Sequence, residues 1–166
     1  MNAITPISKE ETGQQRWDRF APITTGEEYI ESLRGRGLTV YLMGERVAEP
    51  VDHPIIRPSI NALRATYDLA IEDPDLATAW SPLIDAPVNR FLHLVESPQD
   101  LVLKNRMQRR LGQLTGTCFQ RCAGLDTISV LHSITYDIDQ KHGTEYHQRY
   151  LEFMRHAQRN NIILGA

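Results

Sequence analysis

Two cysteines, Cys118 and Cys122, are all that this chain of 166 residues contains. That count excludes a disulfide-stapled scaffold and leaves too few thiols for a self-contained four-ligand cluster. Long apolar runs are also missing. No segment approaches the length of a membrane span, and the N-terminal stretch MNAITPISKEETGQQRWDRF lacks the apolar core of a signal peptide. A cytoplasmic location is therefore the expectation. Charge of either sign is scarce in excess. A formal net charge of −3 gives no electrostatic case for nucleic acid or for an anionic membrane surface. There is no internal repeat, no glycine-rich phosphate loop, no nucleophile elbow and no HExxH metal motif. Nothing here reads as a self-sufficient active site.

What is present is an ordinary globular composition, 41% hydrophobic and 23% charged, long enough for one domain with a real core. Residues 1–20 are polar and aperiodic and are expected to form a flexible arm. Order is expected from near Thr25, where Thr25 and Glu28 have capping-box spacing and Tyr29, Ile30 and Leu33 give a short helix its apolar side. Thr39 to Met43 is rich in strand formers, and Gly44-Glu45 suits a two-residue turn, which predicts one small hairpin. Prolines at 54, 58 and 74 bracket a helix with Ile60, Leu63, Tyr67 and Ile71 at three- and four-residue steps. Residues 75–96 read as a short helical stretch, a Pro82/Pro87 loop and an apolar segment.

Ser97-Pro98-Gln99-Asp100 supplies an N-cap, a proline at the first helical position and an acid in the first turn. From there an apolar stripe runs through Leu103, Met107, Leu111, Leu114, Cys118, Cys122 and Leu125. Helical pattern continues through Ile138 to Gly143, and a last helix is predicted from Thr144. The fold class is mainly α, a bundle of about six helices with one small β element.

Both cysteines fall on the predicted helical stripe, four residues apart. On a helix that spacing puts Cβ atoms roughly 5–6 Å apart, whereas a disulfide wants about 3.5–4.5 Å. A local disulfide is disfavoured, and two roles remain open: ligands of one metal cluster, or small buried hydrophobes on a continuing stripe. A CxxxCxxC cluster loop is excluded because position 125 is Leu125. Arg109, Gln113 and Gln120 add polar groups nearby, while the basic run Lys104, Arg106, Arg109, Arg110 reads first as a solvated helix face. On an ideal helix Arg109 lies about 180° from Cys118, so both can face one pocket only if the helix breaks, with Gly112, Thr115 or Gly116 as the candidate points. His53, His93, His132, His142, His147 and His156 stand at no metal-ligand spacing from the cysteines.

The runs EEYIESLR, VYLMGERV, VDHPIIRPSIN, MQRRLGQLTGTCFQRCAGLD and TYDIDQKHGTEYH carry a resemblance that extends from about Thr25 to the last residue. The chain resembles the N-terminal region of the flavoprotein family that contains 4-hydroxyphenylacetate 3-monooxygenase and the 4-hydroxybutyryl-CoA dehydratases. The resemblance implies that residues 21–166 form an acyl-CoA dehydrogenase-like N-terminal helical domain of a longer flavoenzyme. The sequence breaks off at NNIILGA, just after an apolar run and with no polar tail, and a truncated chain, inactive alone, is the expectation. Within the family the dehydratase branch implies FAD and a [4Fe–4S] cluster, with Cys118 and Cys122 as two cluster ligands and Arg109 and Gln120 near flavin and substrate. It also implies an acyl-CoA substrate, radical dehydration of 4-hydroxybutyryl-CoA to crotonyl-CoA, vinylacetyl-CoA isomerase activity, and a homotetramer completed by the C-terminal part of the same enzyme. The monooxygenase branch carries a Gly-Arg-Ser/Thr-Pro-Asp-Tyr motif just before the cysteine position. Here the stretch reads Gly112-Gln113-Leu114-Thr115-Gly116-Thr117, without that arginine and tyrosine. A flavin-dependent hydroxylase fragment and a non-catalytic helical module are the alternatives.

Overall fold

Capping chemistry sets the first helix. In the computed structural model, which describes residues 21–164, α1 (Gly26–Leu33) starts at a capping box in which Thr25 accepts from the Glu28 amide and Glu28 reaches back to the cap. The arm expected over residues 1–20 lies outside the described residues. The Gly26 amide donates to Asp68 Oδ1 at 3.0 Å, and Tyr29 stacks on Tyr67 with centroids 5.5 Å apart. These contacts fix α1 against α2 (Arg57–Glu72).

The predicted hairpin forms from β1 (Val40–Leu42) and β2 (Glu45–Val47), with Val40 opposite Val47 and Leu42 opposite Glu45. Its turn is Met43-Gly44 rather than Gly44-Glu45. Both turn residues have positive φ, 51° and 86°, the backbone that lets a two-residue turn follow the strand twist.

Helix α2 is the central post. Ile60, Leu63 and Tyr67 pack into a smaller core with Tyr29, Ile30 and Val51. Ala62 and Leu69 join a larger core with Phe91, Met107, Leu111, Phe119, Leu125, Ile128, Tyr150 and Met154. After the short helix α3 (Pro74–Ala77), a second hairpin appears, β3 (Thr78–Ser81) with β4 (Ala86–Asn89), where only a loop was expected around Pro82 and Pro87. Pro87 sits opposite Trp80, tolerated because a two-stranded sheet is all edge. Polar bonds hold this hairpin. The Ser81 hydroxyl donates to Gln158 Oε1 at 2.7 Å, Gln158 Nε2 donates to the Leu92 carbonyl at 2.8 Å, and Asn89 Nδ2 donates to the Thr66 carbonyl at 3.0 Å. A hydrophobic pattern carries no trace of such bonds.

Helix α4 (Pro98–Thr115) begins at the Ser97/Asp100 capping box and ends at Gly116. Helices α5 (Cys122–His142) and α6 (Tyr146–Asn160) follow, α5 closing at Gly143. The mainly α class stands, with six helices among the described residues. The continuous stripe from Leu103 to Leu125 does not: residues 116–121 are non-helical, and Leu114, placed by that stripe in the core, is 49% exposed.

Candidate functional site: a pinned cysteine loop

The break between α4 and α5 builds the site. Gly116 takes the left-handed conformation at φ 62°, which suits glycine because no Cβ meets the carbonyl. The Thr115 hydroxyl lies 2.9 Å from the Leu111 carbonyl and 3.0 Å from that of Thr117, closing the helix end. Gln120 gives the loop a second left-handed residue at φ 57°.

Between these two bends the side chains alternate. Cys118 and Gln120 are exposed, while Phe119 and Arg121 are buried. Cys122 is half-buried, opens α5 and packs against the larger core. The two cysteines are therefore not neighbours on one helix face: Cys118 is in the loop, and the helical Cβ spacing inferred from their separation does not apply. Both thiols are free. The Gln120 amide donates to Cys118 Sγ at 3.4 Å, a local turn that holds the thiol over the loop.

Phe119 and Arg121 are the pegs. The Phe119 ring meets Phe91 at 5.6 Å. Arg121 is 1% exposed, with its guanidinium carbon 4.8 Å from the Tyr67 ring centre and 5.2 Å from that of Phe91. Its Nη1 donates to Thr66 Oγ1 at 3.0 Å; its Nη2 donates to Asn161 Oδ1 at 3.2 Å and to the Ile162 carbonyl at 3.3 Å. Every one of these acceptors is neutral. Burial depresses the guanidinium to about 10, opposed by Tyr67 and Tyr29. A charge is costly to bury without a carboxylate, and here two aromatic faces and three acceptors offset part of that cost, while Nε is buried without a hydrogen-bond partner.

The segment after α6 is part of the same assembly. Asn161 adopts φ 48°, its backbone carbonyl accepts from the Tyr67 hydroxyl at 2.9 Å, and its side-chain Nδ2 donates to the Ile23 carbonyl at 2.9 Å. At Gly124, in the first turn of α5, an added Cβ would come within 2.0 Å of the Leu164 carbonyl oxygen. Residues 161–164 thus pass directly beside the helix turn that carries Cys122. A groove of about 540 Å³ between α2 and the end of α4, lined in part by Ala62, Leu69, Leu114 and Thr117, adjoins the loop.

The remaining sequence candidates are dispersed. Arg109 is exposed and lies two residues from both buried Met107 and buried Leu111, hence about 200° around α4, on its outer face. Gln120 is in the loop beside Cys118, so the structure brings Gln120 but not Arg109 into the cysteine segment. In the basic run, Lys104 pairs with Asp126 and ties α4 to α5 across the break, while Arg106, Arg109 and Arg110 are exposed. His132 and His147 meet edge-on at 4.9 Å between α5 and α6, and His93 faces Asp100 at 3.4 Å. Among the described residues no three His, Cys, Asp or Glu side chains gather into a metal-holding group, so the cysteines stand as a pair. Sequence reasoning missed Phe119 and Arg121 as site builders. The available signal was the alternation Cys-Phe-Gln-Arg-Cys, which fits an extended loop better than a helix.

This is the class of domain that fold and site define: a helical unit displaying one free thiol on a loop anchored in its core and a second at the start of the helix that follows. The chain belongs to the family described as 4-hydroxyphenylacetate 3-hydroxylase N terminal, whose pattern matches residues 25–166. It is 49% identical over 147 residues to the 4-hydroxybutyryl-CoA dehydratase/vinylacetyl-CoA-Δ-isomerase of Clostridium aminobutyricum, covering 87% of this chain and 30% of that protein. A solved structure of an oxygen-tolerant archaeal 4-hydroxybutyryl-CoA dehydratase from N. maritimus is 61% identical, with a TM-score of 0.82 over 85% of this chain and 28% of that one. The oxygenase component of 4-hydroxyphenylacetate 3-monooxygenase from a Geobacillus strain is 36% identical over 67 residues, 40% of this chain and 14% of that protein. The chain thus spans under a third of the length of the dehydratases it matches.

Proposed function

We propose that this chain is the N-terminal portion of a 4-hydroxybutyryl-CoA dehydratase that uses FAD and a [4Fe–4S] cluster, and that Cys118 and Cys122 are two of the cluster's ligands. The observation that carries this reading is the pair of free thiols, Cys118 exposed in the loop and Cys122 half-buried where α5 begins, in a chain so similar to dehydratases. The donor set fits half of a cluster site: two thiols, one in an exposed loop and one at the first residue of a helix, where unpaired amides favour negative charge. The other ligands, the flavin site and the acyl-CoA site belong, in this proposal, to the rest of the enzyme, assembled as a cytoplasmic homotetramer.

Bound there, the cluster would supply Lewis acidity toward a leaving hydroxyl and the flavin one-electron chemistry. This chain's own residues bind and position. Cys118 and Cys122 hold iron, Phe119 and Arg121 keep the loop from turning, and Gln120 presents a polar group beside the thiols. Arg109, on the outer face of α4, is proposed to meet flavin or substrate across a contact with the rest of the enzyme. A hydroxylase fragment is the second reading; its support is a similarity to hydroxylase oxygenase components over 27–52% of the chain at 31–42% identity, and the stretch Gly112–Thr117 lacks the hydroxylase arginine and tyrosine.

The test is anaerobic reconstitution of the full-length protein. Cys118→Ala and Cys122→Ala should each lower bound iron and its visible absorbance. Unchanged iron content in both variants would sink the ligand assignment.

A further inference from the structure

A single side chain between the two cysteines makes more long-range contacts than either of them. Arg121 reaches the Thr66 hydroxyl on α2, and the Asn161 side chain and Ile162 carbonyl beyond α6, while its guanidinium lies against Tyr67 and Phe91. No surface salt bridge explains this burial, since none of its partners is charged. The geometry does: Cys118 lies three residues before this anchor and Cys122 one after it, with Phe119 as the second peg. On the other side of Cys122, Gly124 rests on the backbone of Leu164.

We propose that Arg121 is the positioning residue of the cysteine pair: its forked contacts lock the loop to α2 and to residues 161–162, so that the two thiols and the segment 161–164 are held as one unit. This rests on the reading of the pair as ligands, but the pinning itself is measurable without metal. Guanidinium suits the task because its planar fork serves several acceptors at once, which an ammonium on a flexible stem does not. Losing one hydrogen bond of a charged group shifts a local opening equilibrium by about tenfold or more.

The experiment uses the full-length protein stripped of metal, with peptide-resolved alkylation by iodoacetamide and hydrogen exchange of residues 161–164. In the wild type, exposed Cys118 should react faster than half-buried Cys122. Arg121→Met should raise the Cys122 rate and the exchange of 161–164 together, each by about tenfold, with Cys118 little changed. Arg121→Lys and Thr66→Val should give smaller rises in the same two places. Ile30→Ala, in the smaller core, should lower global stability without moving either readout selectively. If Arg121→Met does not fold, Arg121→Lys and Thr66→Val decide the matter. Wild-type rates at Cys122 and 161–164 in the folded variants would overturn the proposal. Iron retained in both cysteine variants would overturn the ligand reading while leaving this result intact, so the two failures are distinct.

Discussion

Two glycines separate close packing from open space at the residue scale. Gly124 has the Leu164 carbonyl oxygen where a Cβ would go, 2.0 Å away, and the Leu164 carbonyl carbon at 2.8 Å. Backbone is the obstacle, so relief requires moving either α5 or residues 161–164. Gly124→Ala is expected to cost about 1–3 kcal/mol, in line with overpacking elsewhere. Gly112, inside α4, meets nothing within 4 Å, and Gly112→Ala should stabilise by about 0.5–1 kcal/mol through helix propensity. Equal effects of the two substitutions in denaturant titrations would contradict the close approach beside Cys122. The cysteines raise a separate prediction at this scale, that either alanine variant of the full-length protein loses iron, because one thiol is in the loop and the other on α5 and neither can replace the other.

Among the elements, the α5–α6 corner is where pH should act. The Asp139 carboxylate accepts from the Thr144 hydroxyl at 2.6 Å and from the amides of Tyr146 and His147 at 2.9 and 2.8 Å. It therefore caps the start of α6. Burial pushes its pKa up, but the bonds from Thr144, His147 and Tyr146 and the charge of His147 outweigh this and hold it below the usual 3.8. A folded-state pKa below the unfolded one means stability that is complete above the unfolded value and lost as pH falls through the folded one. His132 follows the same sign. Burial first, then His147, lower it from 6.5 against an opposing pull from Glu96, so its contribution is complete above 6.5 and fades as acid protonates the ring. Exchange protection in α6 should thus decline in two phases, one beginning below pH 6.5 and a second below about pH 4. His132→Gln should remove the first phase only, and Asp139→Asn should lower protection of α6 even at neutral pH. A single transition in the wild type would contradict this assignment.

Elements also show why the sequence was only partly legible. The capping box at Thr25/Glu28 and the N-cap and first-turn acid at Ser97/Asp100 were readable because they are local, four residues long and fixed by side-chain chemistry. The α2 boundaries were readable from prolines for the same reason. The β3–β4 hairpin was not, since Pro82 and Pro87 argue locally for a loop and its support comes from Gln158 and Thr66, far away in sequence. The helical stripe through Cys118 misled because apolar spacing persisted across the break, which falls at Gly116, one of the three candidate points.

The whole molecule has an uneven surface. In α5, Leu125 and Ile128 are buried near the cysteine end, whereas Val130, Leu131, Ile134 and Tyr136 further along are exposed by 41–54%. Val130, Leu131 and Ile134 share one helix face at steps of one, three and four residues. An exposed apolar face of this kind favours association in water. The 166-residue chain produced alone should therefore self-associate at high concentration, and Ile134→Lys should shift it toward monomer in sedimentation velocity. An unchanged distribution would show that this face is not what drives contact. No helix among the described residues is long and apolar enough to cross a membrane.

By itself the sequence determined the mainly α class, most helix starts and stops, and, through its long runs, the family to which the chain belongs. Those are properties carried by neighbouring residues or by unbroken strings. Only the tertiary structure decided that Cys118 leaves the helix, that Arg121 goes inward without a carboxylate, and that residues 161–164 return to the loop. The last two depend on contacts between segments 40 or more positions apart, such as Arg121 with Thr66 and Asn161. A one-dimensional pattern cannot tell a solvated arginine from one buried between two rings, because the difference lies entirely in what the rest of the chain places around it.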